Sequence, residues 1–242
     1  MIEMIFLGIA VGALSGFFGI GGGTILVPVL LFMGYDIKTA IGISVVQMVF
    51  SSLYGSFLNF KKGTLQFETV LYIGAGGFVG ALLSGWVVSA LSSRTLEFVF
   101  ILFVMIALVR MGYKPAKYKH SRAVHPLVLF AIGTLLGIFA ISIGVGGSIL
   151  LVPILVGFFH FELKKAISAG LFFVVFSSIS GFISLSIAGQ IQYLEGTLIG
   201  AASLIGVYIG VQLSGVSSSR AQKRLLLIFY VLILSYLLTR LL

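Results

Sequence analysis

The stretch GFFGIGGGTILVPVL, Gly16 to Leu30, sets five glycines and a proline inside a run apolar enough for one membrane helix. A helix that stops and restarts there exposes backbone N–H groups, and the restarting end, near Thr24, carries roughly half a positive charge. Such an end holds an anion without any Lys or Arg. The stretch ISIGVGGSILLVPIL, Ile141 to Leu155, repeats the arrangement with its restart near Ser148. The candidate binding groups are therefore Gly21, Gly22, Gly23 and Thr24 at one tip and Gly146, Gly147 and Ser148 at the other.

The segment after each tip adds polar side chains. Gln47, Ser51 and Gly55 follow at i, i+4 and i+8 and share a helix face; Phe173, Ser177 and Gly181 take the same places downstream. A serine in a membrane helix often bonds only its own preceding turn. Gln47 is more demanding, because an amide in lipid is costly without a partner. Gln47, Ser51 and Ser177 therefore join the candidates. Gln212 stands where the first half has Trp86, an inequality at which selectivity could be set. Gly74, Gly76, Gly77 and Gly80, by contrast, read as close packing between helices.

The elements that must position these groups are apolar runs. The chain has 242 residues, 60% of them hydrophobic and only 9% charged. Runs of about 20 residues recur from end to end, the length that crosses the hydrocarbon of a bilayer, and they are continuous rather than alternating. The expected fold class is an all-α polytopic membrane protein with the lipid bilayer as solvent. Segments are expected at 2–34, 38–60, 68–91 and 95–113, then at 126–159, 164–188, 194–215 and 221–242, with a basic linker, KPAKYKHSRAVH, between the fours. This divides the chain into a first transmembrane repeat (1–113), a cytoplasmic basic linker (114–125) and a second transmembrane repeat (126–242). The net charge of +9 sits in short loops between apolar runs, which points to membrane topology and to no nucleic acid. The first residues, MIEMIFLGIAVGALSGFF, lack a basic start and a cleavage site and are expected to stay in the mature chain.

The two halves are copies. A shift of 125 positions lays Gly19, Gly21, Gly22, Leu26, Val27, Pro28 and Leu30 on Gly144, Gly146, Gly147, Leu151, Val152, Pro153 and Leu155. After a one-residue slip the match continues at 126, with Asp36 on Glu162, Lys38 on Lys164, Ser51 and Ser52 on Ser177 and Ser178, Gly55 on Gly181, and Gln66 on Gln192. If all eight segments crossed, Lys and Arg would be nearly balanced between the two sides. If each glycine-broken segment enters and returns, three full spans remain per half. Twelve Lys/Arg then gather on the linker side and only Lys38, Arg94 and Arg240 on the other, as the positive-inside rule expects. An odd number of spans per half makes the repeats inverted, a common transporter plan. The fold expected is thus two inverted repeats, each a glycine-broken re-entrant helical hairpin plus three transmembrane helices. Its two tips would approach the midplane, where broken backbone is tolerated only inside protein or along a watery cavity.

Enzyme chemistry finds little footing. The chain has no cysteine, and His120, His125 and His160 fall in or beside loops. No acidic pair sits inside a span, and no mid-membrane histidine could activate a serine. Asp36, Glu68, Glu162 and Glu195 read as boundary charges rather than proton relays, so no coupling ion is named by a titratable group in the path. No cofactor or metal is implied.

With both tips, both prolines and the basic linker in view, the chain resembles the TauE/SafE family, the sulfite exporter or sulfonate permease group, over essentially its whole length. The motif is strongest at SGFFGIGGGTILVP (Ser15 to Pro28) and returns at GVGGSILLVP (Gly144 to Pro153). The resemblance implies a multi-pass carrier in a bacterial or archaeal plasma membrane, for sulfite, organosulfonates or related anions. The second tip departs from the pattern: Ser148 replaces the last glycine and no Ser-Gly pair precedes it, so binding roles carry over more directly to Gly21, Gly22, Gly23 and Thr24. The expected function is a secondary transporter of a small anionic substrate working by alternating access. An anion channel with re-entrant pore loops is its first rival, and an intramembrane enzyme the second.

The three-span reading places both termini outside and the Lys114 to His125 linker in the cytoplasm. In this cysteine-free chain, Glu3→Cys and Lys117→Cys variants should react with an impermeant thiol reagent from opposite sides of the membrane. Labelling from the same side would remove that reading.

Overall fold

The computed structural model describes residues 1–64, 67–112 and 125–241, and every element in them is helical. The basic linker, except for His125, lies outside the described residues, as does Gln66. The first half comprises α1 (Ile2–Phe18), α2 (Gly23–Phe32), α3 (Ile37–Lys61), α4 (Phe67–Ala81), α5 (Ser84–Ala90) and α6 (Ser93–Gly112). The second comprises α7 (Pro126–Ser142), α8 (Ser148–Gly157), α9 (Leu163–Ile187), α10 (Tyr193–Val216) and α11 (Ser219–Leu241). Four of these helices are long and apolar enough to cross a membrane, or five with α4 and α5 taken as one bent span. The chain is thus a polytopic α-helical protein. The duplication reaches the lengths of the elements: 17, 10 and 25 residues for α1, α2 and α3, and 17, 10 and 25 again for α7, α8 and α9.

Boundary residues set the ends. The Asp36 carboxylate accepts from the Lys38 and Thr39 amides at 2.9 and 3.2 Å and from the Thr39 hydroxyl, capping α3. Partial burial pushes its pKa up, but these hydrogen bonds outweigh that and hold it below the usual carboxylate value. Pro126 opens α7, where its missing N–H removes nothing, and His125 Nδ1 accepts from Leu127. At the end of α3 opposite Asp36, Lys62 and Lys164 donate to the Val211 and Gly215 carbonyls at 2.9 and 2.8 Å, answering the last turns of α10. Desolvation and the neighbouring Lys164 charge lower the pKa of Lys62.

Small residues bring the helices together and fix their directions. Gly8, Gly12 and Gly16 of α1 lie on the backbone of Ile199, Ser203 and Val207, and Gly206 and Gly210 of α10 lie on Ile9 and Ala13. Positions rise together, so α1 and α10 run parallel. Gly76 and Gly80 lie on Phe130 and Thr134 in the same manner, while Gly133 and Gly137 lie on Ile73 and Gly77, making α4 and α7 parallel. Lipid offers no hydrophobic drive between helices, so such close van der Waals contact does the associating. Gly74 and Gly77 face the rings of Phe176 and Phe173. All four glycines read as packing residues from the sequence therefore stand in packing contacts.

At the centre α3 and α9 cross in opposite directions. Gly42 lies by Gln190, the Ser52 and Ser178 hydroxyls are 3.5 Å apart, and the Thr64 and Ser168 hydroxyls are 2.8 Å apart. Gly196 and Gly200 of α10 rest on Val46 and Phe50, so α3 runs with α10 and hence with α1. The outward faces carry large apolar side chains such as Trp86, Ile205, Tyr208 and Leu232, suited to lipid.

One expected element is corrected. The run at 68–91 is two helices, α4 and α5, bent by 41° at Leu82 and Leu83, whereas its repeat partner α10 is unbroken. The cause is a hydroxyl set into the backbone ladder. Ser184 of α9 accepts from the Gly85 amide at 2.9 Å and donates to the Leu82 carbonyl at 2.6 Å, while Ser84 donates to Ala81 at 2.7 Å. The groups orphaned by the bend are thereby paired. Ser184→Ala leaves two of them unpaired and should destabilise the protein by about 1–3 kcal/mol, read as a lower thermal midpoint in detergent. Thr134→Ala is the control and should change little, because that hydroxyl bonds only its own helix at Phe130.

Candidate functional site

The glycine breaks are chain reversals. Helix α1 ends at Gly19 with φ 67°, and Gly21 follows at φ 68°. Gly22 then starts α2, lying against the Gln47 side chain well inside α3, while the far end of α2 leads at once to the Asp36 cap of α3. α2 therefore runs against α3 and against α1. The second break contains Gly144, Gly146 and Gly147 at φ 72°, 76° and 82° before α8 begins at Ser148. A side chain is strained in that left-handed region, so these positions require glycine.

The two tips meet. A Cβ on Gly23 would collide with the Gly144 carbonyl, and that carbonyl also accepts from the Ser44 hydroxyl at 2.7 Å. Gly21 and Gly146 each lie over the same two side chains, Met48 and Val174, which are repeat equivalents. Gly22 faces Gln47, and Gly147 faces Phe173, again equivalents. The Ser177 hydroxyl donates to the Gly146 carbonyl at 3.2 Å and holds the second tip to α9. The replacement of the last glycine by Ser148 has a local reason. Where Gly23 is crowded by Ser44, Ser148 is faced by Gly170, which leaves room for its side chain.

The ladder of α2 starts at its N-cap: the Ile25 and Leu26 amides both donate to the Gly22 carbonyl at 3.1 and 2.9 Å, and Leu150 and Leu151 do the same to Gly147 in α8, at 3.3 and 3.0 Å. The N–H groups of Gly23, Thr24, Ser148 and Ile149 precede those ladders and have no partner within their own helices. Pro28 and Pro153 lack the N–H that would pair with the carbonyl four residues before. At Ile149 the Tyr230 hydroxyl takes up the freed carbonyl at 3.5 Å.

Every polar candidate is fully buried: Thr24, Gln47, Ser51, Ser148 and Ser177 are all 0% exposed. They differ in what they still offer. The Thr24 hydroxyl donates to the Ile20 carbonyl at 3.1 Å, and Ser51 reaches Met48 at 3.4 Å. Ser177 is committed to Gly146 and its own helix. By contrast, both polar atoms of the Gln47 amide and the Ser148 hydroxyl have no partner among the described residues. Buried polar atoms are nearly always paired, and these unpaired ones stand beside the starts of α2 and α8. Trp86 is 73% exposed and Gln212 is exposed too, so both lie on the outer surface, away from the tips.

Sequence reading missed Ser44 and the Met48–Val174 pair. Ser44 stands one turn before Gln47, so extending that helix face backwards would have found it. Met48 and Val174 carry no signal beyond their equivalence, being apolar in an apolar run. Farther along α3, Ser56 Oγ and Asn59 Nδ2 are also buried without partners, between Gln47 and the basic end at Lys62.

The family model "Sulfite exporter TauE/SafE" matches residues 4–237. The probable membrane transporter protein YunE of Bacillus subtilis is 23% identical, the match covering 91% of this chain and 89% of the relative. A probable membrane transporter protein of Methanocaldococcus jannaschii is 28% identical over 79% of this chain and 74% of its own length. One from Haemophilus influenzae is 26% identical over 78% and 76%. No solved structure matches the chain.

Two neighbouring glycines should respond differently to a Cβ. Gly23→Ala drives a Cβ into the Gly144 backbone and should destabilise the fold by about 1–3 kcal/mol, seen in the thermal midpoint. Gly22→Ala meets only the end of the Gln47 side chain, which can swing away. It should fold nearly as the parent does, with a thermal midpoint close to the parent's.

Proposed function

The chain belongs to the sulfite exporter TauE/SafE family of membrane transporters, and on that premise we propose that it carries a small sulfur-containing oxyanion or sulfonate across the plasma membrane. The observation that carries this reading is the unpartnered Gln47 amide at the start of α2, beside free N–H groups and with no Lys or Arg at either tip. Partial charges of paired helix starts gain strength in a dry, low-dielectric site, so neutral donors suffice for an anion.

Alternating access by two inverted repeats is the mechanism that fits. It is supported by the opposite directions of the equivalent helices α3 and α9, by equivalent contacts at the two tips, and by the burial of the tips from both ends. The basic residues Lys61, Lys62, Lys164 and Lys165 fall at one end of the bundle, the end assigned to the cytoplasm by charge. The unpartnered Ser56 and Asn59 provide polar steps between that end and Gln47.

In liposomes loaded with sulfite, thiosulfate or an organosulfonate, the purified protein should give saturable counterflow of at least one of them; unitary currents instead would establish a channel. Thr24→Asp puts a carboxylate where the anion binds and lets it cap α2 from within. Uptake should be abolished in Thr24→Asp and retained in the neutral Thr24→Asn. Equal uptake by the two would move the site away from the tips.

A further inference from the structure

The Gln47 amide asks for more than a negative charge. An amide presents N–H donors at one end and a carbonyl acceptor at the other, and both ends of Gln47 are buried without a partner beside Gly22. The donor end suits any anion. The acceptor end does not, because an anion with only oxygen lone pairs meets Oε1 as a second acceptor. Turning the amide over exchanges the two ends and leaves the same demand. Of the hydroxyl protons at the tips, Ser44 is committed to the Gly144 carbonyl, Thr24 to Ile20 and Ser177 to Gly146, and the unpartnered Ser148 hydroxyl makes no hydrogen bond to Gln47 Oε1. The equivalent place in the second half holds Phe173, fully buried with its ring on Gly147, so the demand is made once rather than twice.

Resting on the anion reading above, we infer that Gln47 is the specificity determinant of the site and that it selects monoanions bearing a hydrogen of their own. The ligand class is a singly protonated oxyanion, or a sulfonate carrying a hydroxyl or amino group. Its O–H or N–H donates to Gln47 Oε1 while its oxygens accept from Gln47 Nε2, the Ser148 hydroxyl and the N–H groups that open α2 and α8. An anion of the same charge and similar size without an O–H or N–H donor leaves Oε1 buried and unpaired. That loss discriminates more strongly than pocket shape does.

Two matched pairs test this with the purified full chain in detergent: hydrogensulfite against methanesulfonate at mildly acidic pH, and isethionate against ethanesulfonate. Hydrogensulfite is a usable probe because a chain without cysteine has no disulfide for it to cleave. Affinities come from calorimetry or ligand-induced thermal shifts. The parent protein should prefer the hydrogen-bearing member of each pair by about tenfold. Gln47→Met, close in volume and free of polar hydrogens, should keep its unliganded thermal midpoint and bind both members equally. Equal affinities in the parent, or a preference that survives Gln47→Met, would overturn the role of Gln47 and leave the anion site standing. If the parent binds none of the four, nor thiosulfate or sulfate, the anion site itself falls and this inference with it.

Discussion

A backbone broken inside a membrane has to find a partner for every freed N–H and C=O within the protein, and much of this fold follows from that demand. Lipid provides no hydrogen bonds, so each interruption is placed where another helix can answer it. Ser184 bridges the bend between α4 and α5, Ser177 and Ser44 each take a carbonyl of the second tip, and Tyr230 reaches the carbonyl that Pro153 leaves free. Lysines from α3 and α9 close the end of α10. The helices α3 and α9 lie innermost because they hold most of these answering side chains.

What remains unanswered is then informative. Where nearly all freed groups are paired, the Gln47 amide, the Ser148 hydroxyl and the first N–H groups of α2 and α8 stand out as a set. The two tips that carry them touch, with Gly23 against the Gly144 carbonyl. The anion site proposed there would hold charge by oriented dipoles and need no buried cation, whose desolvation would be costly in the bundle core.

Duplication supplies the frame, and departures from it supply the chemistry. Gln47 faces Phe173 across the repeat relation, Ser44 corresponds to Gly170, and Gly23 to Ser148. The last two changes compensate each other: a hydroxyl sits on α3 in one half and on the tip in the other, and the facing position is glycine each time. The bend of α4 and α5 has no counterpart in α10, because the place of Ser184 on α9 is held by Leu58 on α3, which has no hydroxyl to set into a ladder.

Apolar run lengths and glycine clusters determined from sequence that the chain is a polytopic helical protein, where its helices other than α5 begin within a residue or two, and which backbone turns could expose N–H groups. These are local properties: hydropathy sets what can lie in lipid, and glycine sets where φ can be positive. The packing role of Gly76 and Gly80 was equally legible, since small residues one turn apart have few other uses in a membrane helix. Only the tertiary structure decided which polar groups remain free. Thr24, Ser51, Ser177 and Gln47 look alike as buried polar residues in the sequence, yet three of them are turned to a carbonyl and Gln47 is not. The bend at Leu82 and Leu83, and the outward placement of Trp86 and Gln212, belong to the same class. The bend depends on Ser184, about a hundred residues away, and the others on how side chains turn once the helices are packed; neither leaves a periodicity along the chain to read.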